Sequence, residues 1–145
     1  MPIRCEIVSQ DRIVFQGNVD ICVIPGAEGV MGILPNHAPV LTVLKFGIIT
    51  VRTKSNEEHF TVAGGVVEVQ PDQITVLADA AENVEEIDIQ RAEAARKRAE
   101  EMRAKAVPQE TDTYLGLQAA LRRSTLRLDA ARRYRQGQRA RSRDE

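Results

Sequence analysis

The sequence predicts an α+β chain. An N-terminal antiparallel β-sandwich over residues 1–86 is followed by a C-terminal antiparallel two-helix hairpin with a basic tail, residues 87–145. Three observations predict this. Near Glu86 the hydrophobic spacing changes from every second residue to every third or fourth. Seven of the nine glycines fall before that point, where turns are needed. The charge also changes sign there. Residues 1–86 hold 5 Lys/Arg and 12 Asp/Glu, a balance of −7, and residues 87–145 hold 15 and 9, a balance of +6, inside a net charge of −1.

The strands follow in order. "CEIVS", "RIVFQG", "VDICVIP", "GIITVRT", "EEHFTVAG", "GVVEVQ" and "ITVLAD" are short, rich in Val, Ile and Thr, and bounded by turn residues. In "GVVEVQPDQITVLAD", Val67 and Val69 alternate with Glu68 and Gln70, and "QPDQ" supplies a turn. Gly64-Gly65 marks another tight connection. Strands at this spacing build a sandwich or barrel.

The helices come next. "IDIQRAEAARKRAEEMRAKA" holds good helix formers and neither Gly nor Pro. Asp88 is placed to cap it or to serve as a first-turn acid. Pro108 ends the run, and "PQETDT" links it to a second helix capped at Asp112 or Thr113. In that helix Tyr114, Leu117, Leu121, Leu128 and Ala131 form an apolar stripe about one heptad seam wide. The first helix offers it mainly Ile89, alanines and Met102. Such a seam buries little area, so the hairpin is expected to open readily, as a switch would. The tail "RQGQRARSRDE" is expected to fray.

Composition excludes several classes. At 43% hydrophobic and 28% charged residues, a soluble folded protein is expected. The start "MPIRCEIVSQ" does not read as a secretory signal, and no apolar run approaches the roughly 20 residues of a membrane span. Cys5 and Cys22 lie in strand-like segments without metal-ligand spacing, which favours buried, reduced thiols, with a disulfide as the alternative. His59 lies in a strand-like run and is expected to be exposed.

The stretch "PGAEGVMGILPNHAPVLT", Pro25 to Thr42, poses the question of function. Gly26, Gly29 and Gly32 match neither the dinucleotide fingerprint nor the Walker loop, and no Gly-Lys-Ser/Thr follows. Glu28 and His37 are an acid and a base with no nucleophile or second ligand nearby in sequence. A stiff loop of small residues suits docking to another protein, with glycines admitting positive φ and Pro35 and Pro39 fixing the path.

"PGAEGVMGILPNHAPVLTVLKFGIITV", together with "GGVVEVQPDQITVLAD", resembles the epsilon subunit family of bacterial F-type ATP synthases. The resemblance covers nearly the whole chain. It implies a ten-stranded sandwich that joins the gamma subunit in the central stalk and sits against the membrane ring of c subunits. It further implies that Glu28, Gly29, Gly32 and His37 belong to the rotor-docking loop. The hairpin is then a regulator. Extended along gamma, it meets the catalytic beta (and alpha) subunits and blocks ATP hydrolysis, a contact suited by nine Lys/Arg against three Asp/Glu from Thr113 onward.

Asp88, Arg91, Ala92, Ala95 and Arg98 share one face of the first helix, and Arg123 and Arg127 share one face of the second. Two readings are open. Spacing alone favours a solvated surface with ion pairs along the helices. The other is an anion site, since guanidinium forks donate paired hydrogen bonds to phosphate. "IDIQRA" is similar to the nucleotide signature of epsilon subunits that bind ATP. That resemblance implies a site of Glu82, Asp88, Arg91, Ala92, Arg98, Arg123 and Arg127, holding ATP as a regulatory ligand that is not hydrolysed. No catalytic residues, required cofactor or metal are expected, and the chain is expected to serve as a non-catalytic subunit of a proton-transporting complex. The implied location is peripheral, on the cytoplasmic face of the bacterial plasma membrane, with the stromal face of the thylakoid as the alternative. The rival class is a nucleic-acid-binding module built on the basic helices. The acidic sandwich and 3% aromatic content oppose it.

Overall fold

The computed structural model describes residues 1–106 and 111–141, by backbone alone at 111 and 136–141. The chain divides into two compact units, Met1–Val84 and Glu85–Glu145. The first holds eight strands: β1 (Ile3–Val8), β2 (Ile13–Val19), β3 (Ile21–Gly26), β4 (Gly29–Ile33), β5 (Val40–Arg52), β6 (Glu57–Val69), β7 (Gln73–Ala78) and β8 (Ala81–Asn83). Their order is β2-β1-β7-β6-β5-β3-β4, with β8 also paired to β6.

Two features differ from expectation. The sheet is mixed, because β1 runs parallel to β7 while every other pairing is antiparallel. A period of two reveals a strand's faces and says nothing of its partner's direction. There are also eight strands rather than ten. "EEHFTVAG" and "GVVEVQ" merge into β6, and β5 runs alongside it for 13 residues in one unbroken register.

The pair Gly64-Gly65 is therefore a bend inside β6, with φ of 89° and 133°. Before it β6 pairs with β8, and after it with β7. Asp79 N–H donates to the Gly64 carbonyl and Ala63 N–H to that of Ala80, so pairing continues across the bend. Alternate residues turn inward to one core that includes Ile3, Cys5, Ile7, Cys22, Ile24, Phe60, Ile74 and Val76. Phe15 of β2 meets Phe60 edge-on at 5.5 Å between ring centres, joining non-neighbouring strands. Cys5 and Cys22 are free and buried.

The second unit enters through a 3-10 turn at Val84–Glu86 and holds α1 (Ile89–Lys105) and α2 (Thr111–Arg141). Asp88 caps α1 by accepting the Arg91 backbone N–H at 3.1 Å. Asp112 and Thr113 fall inside α2 rather than before it, because the helix starts at Thr111. Pro108, Gln109 and Glu110 lie outside the described residues. The helix also runs on to Arg141, through part of the tail expected to fray. The helices pack antiparallel, with Glu93 near the start of α1 paired to Arg132 late in α2. Ala92, Ala99, Ser124, Leu128, Ala130 and Ala131 are buried, whereas Met102 is 57% exposed and contributes no seam. Of the expected stripe on α2, only Leu128 and Ala131 are fully buried.

Candidate functional site

The stretch read as one stiff loop is mostly a β-hairpin. β3 and β4 pair from Cys22 with Ile33 to Gly26 with Gly29, and Glu28 sits exposed at the turn. Gly29 has φ of 145°, which an L side chain rarely adopts. Gly32 lies on β4 opposite Val23. Glycines at these positions break the β-branched pattern that marks strands, so β4 was hidden. The true loop is Leu34–Pro39. His37 N–H donates to the Leu34 carbonyl at 3.2 Å, and Asn36 has φ of 63°. With Pro35 before it, this is a type II turn. Asn36 N–H donates to the Pro71 carbonyl at 2.8 Å, tying the loop to the β6–β7 turn. His37 Nδ1 lies 2.7 Å from the Ala38 carbonyl oxygen.

A second feature of this unit has no counterpart in the sequence reading. Val43 of β5 pairs with Val66 of β6, Val66 with Leu77 of β7, Leu77 with Val8 of β1, and Val8 with Ile13 of β2. Val43 and Leu77 are each 57% exposed, and Leu41 beside them is 71% exposed. One apolar row thus crosses five strands on the face away from the core. Single exposed apolar residues are ordinary, but a contiguous row marks a contact surface. Each of these residues occupies an outward position of its strand, and only the pairing brings them into line.

In the helical unit, Asp88 is the cap of α1, and Ala92 is wholly buried. Arg91, Arg98 and Arg123 are exposed, and Arg127 is half-buried. With Glu93 opposite Arg132, antiparallel counting brings Arg98 level with Arg127. Arg91 and Arg123 then lie at levels about 16 Å apart, at 1.5 Å per residue. Glu82 lies on β8, in the other unit, where its carbonyl accepts from Thr61 Oγ1 at 3.5 Å.

Two polar arrangements were missed. Arg132 and Arg135 bind groups at the start of α1: Glu93, and the carbonyls of Glu85 and Ile87. Their three-residue spacing was visible, but not their partners. On β5 and β6, the Glu57 carboxylate lies 3.0 Å from both Arg52 Nε and His59 Nε2, and His59 Nδ1 lies 2.9 Å from Thr50 Oγ1. The His59 side chain is only 11% exposed, against the expectation of an exposed residue. Nδ1 is engaged by the cross-strand neighbour Thr50, which sequence distance conceals, and Nε2 by Glu57, two residues back on the same strand. In the core, the Cys5 thiol beside it and then burial hold the Cys22 thiol far above the usual range, so it stays protonated. Among the described residues, no three His, Cys, Asp or Glu gather as a metal site would require, and no helix is long and apolar enough to cross a membrane.

Residues 2–84 match the family description "ATP synthase, Delta/Epsilon chain, beta-sandwich domain", and residues 85–132 match its "long alpha-helix domain". The chain belongs to the ATP synthase delta/epsilon family. Three similar relatives are epsilon chains. An ATP synthase epsilon chain of Dehalococcoides mccartyi is 45% identical over 138 residues, covering 92% of this chain and 94% of the relative. One of Pelotomaculum thermopropionicum is 51% identical over 102 residues, covering 70% and 76%. One of Moorella thermoacetica is 42% identical over 130 residues, covering 89% and 96%. The fold is also similar to a chain in the structure of Euglena gracilis mitochondrial ATP synthase, OSCP/F1/c-ring, with a TM-score of 0.73 at 23% identity, covering 90% of this chain and 81% of that one. Both parts of the epsilon layout, sandwich then helix pair, are therefore present in order.

Proposed function

We propose that this epsilon-family chain is the central-stalk subunit that fastens gamma to the c ring, so that proton-driven rotation reaches the catalytic subunits. The observation that carries this reading is the apolar row Val43-Val66-Leu77-Val8-Ile13, which would be covered by gamma. The β3–β4 hairpin and the His37 loop, with Glu28, Gly29 and Gly32, form the end that meets the c ring. The helix pair is the regulator. Closed, it permits turnover; extended, its basic second helix engages the beta and alpha subunits and inhibits ATP hydrolysis. ATP bound by the arginines as an effector favours the closed form by its higher affinity for it. The chain would work peripherally on the cytoplasmic face of the membrane, as a non-catalytic part of the synthase.

The test is assembly. Val43→Arg with Leu77→Arg places two charges on the outer row and leaves the core side chains in place. The doubly substituted chain should keep its strand circular dichroism and fail to co-purify with the rest of the complex. Assembly at wild-type stoichiometry would overturn the docking reading.

A further inference from the structure

Outside its alanine seam, the helix pair is fastened at the end where the chain enters α1. One nitrogen, Arg135 Nη2, donates to the carbonyl oxygens of both Glu85, at 2.7 Å, and Ile87, at 2.6 Å. One turn earlier, Arg132 donates to the Glu93 carboxylate. The two arginines thus hold the chain on either side of the Asp88 cap. A cation beside a helix N-terminus opposes the helix dipole, so specific acceptors such as these must outweigh that opposition. The double contact also constrains the backbone. A single nitrogen at those two distances keeps the two oxygens within about 5.3 Å of each other. In an extended strand, carbonyls two residues apart are separated by about 6.6 Å. If instead α1 grew backward through this segment, the Glu85 carbonyl would be taken by the helix's own N–H four residues on.

We infer that Arg135, supported by Arg132, is a latch that reads the backbone of the Glu85–Asp88 segment: it holds α2 against α1 only while that segment keeps its present bend. Straightening or coiling the segment separates the acceptors and frees α2. The inference rests on the reading of the helix pair as a switch, and it supplies that switch's release point. Arg135 is a positioning residue here.

Hydrogen exchange on the full isolated chain tests it. Arg135→Ala should lower the protection of α1 and α2 amides about tenfold and leave strand amides unchanged. Arg135→Lys, lacking the planar fork, should recover part of the loss. Glu93→Gln should cause a smaller loss in the same helices. Arg133→Ala, a neighbour whose guanidinium lies 5.3 Å from the Tyr134 ring, should change nothing. Protection within twofold of wild type in Arg135→Ala, or an equal loss in Arg133→Ala, would overturn the latch. Lost protection together with unchanged ATP hydrolysis by the assembled complex would uphold the latch and reject the switch.

Discussion

Gly65 stands so close to Leu77 that a Cβ at Gly65 would lie 2.3 Å from the Leu77 carbonyl oxygen. It would also lie 2.7 Å from the Ala78 Cα, and the residue has φ of 133°. Neither obstacle is a side chain that can rotate aside. Gly65→Ala should therefore destabilise the strands by about 3 kcal/mol or more, from backbone displacement and the strained φ together. Gly29→Ala shares the positive φ but meets nothing within 4 Å. It should cost about 1–2 kcal/mol. Urea unfolding of the two variants should show that order; equal costs would mean that the close approach at Gly65 is relieved without strain.

That contrast shows what the sequence discloses. The Gly64-Gly65 pair was legible as a change of chain direction, but not as a bend within one 13-residue strand. The difference lies in the partners, since β8 pairs before the bend and β7 after it. Likewise the inward Val67 and Val69 followed from alternation with Glu68 and Gln70, yet the outward row from Val43 to Ile13 required four registers. In the helices, the Asp88 cap was legible because capping is local. The grip of Arg135 on Glu85 and Ile87 spans about 50 residues and has no periodic signal. Met102 misled because an apolar residue at helical spacing need not face the partner helix.

The Cys22 thiol gives the sandwich a pH dependence. Its folded-state value is raised, by the adjacent Cys5 thiol and by burial. In alkali the unfolded chain loses this proton and the folded chain keeps it. The folded state then binds more protons, so stability falls as pH rises above the ordinary thiol range, about 8.5. The slope from this group is about 1.4 kcal/mol per pH unit. Urea midpoints of the full chain, read at strand amides from pH 7 to 10, should fall less steeply in Cys22→Ala than in wild type. Parallel slopes would show that the thiol ionises in place.

The alanine seam predicts the effect of truncation. Ala92, Ala99, Ala130 and Ala131 are buried, with Leu128 the one large apolar residue fully buried among the described residues of the two helices. A seam this thin favours an opening helix pair, and an open pair is the inhibitory form in the proposed function. Removing residues from Glu86 onward should raise ATP hydrolysis by the assembled complex severalfold. Unchanged or lower hydrolysis by an intact complex would count against inhibition by the helices.

Asp88 separates capping from nucleotide binding. Its Oδ1 accepts the Arg91 N–H, so Asp88→Ala should weaken α1 by about 1 kcal/mol. Asn caps about as well as Asp but carries no charge, so Asp88→Asn should leave the helix stable. Nucleotide binding should respond differently. At ten times its Kd, ATP should stabilise the closed wild-type hairpin by about 1.4 kcal/mol. For a unit of this size that raises the melting temperature by roughly 6–10 °C. Arg98→Ala with Arg127→Ala removes the two guanidiniums that lie level across the helices and should abolish the rise. Asp88→Asn should reduce the rise without lowering the melting temperature in the absence of ATP, because one of the two acceptor oxygens becomes a donor amide while the capping oxygen is kept. Calorimetry with no ATP-dependent rise in wild type would reject the effector site, and a full rise in the arginine double variant would place the nucleotide elsewhere.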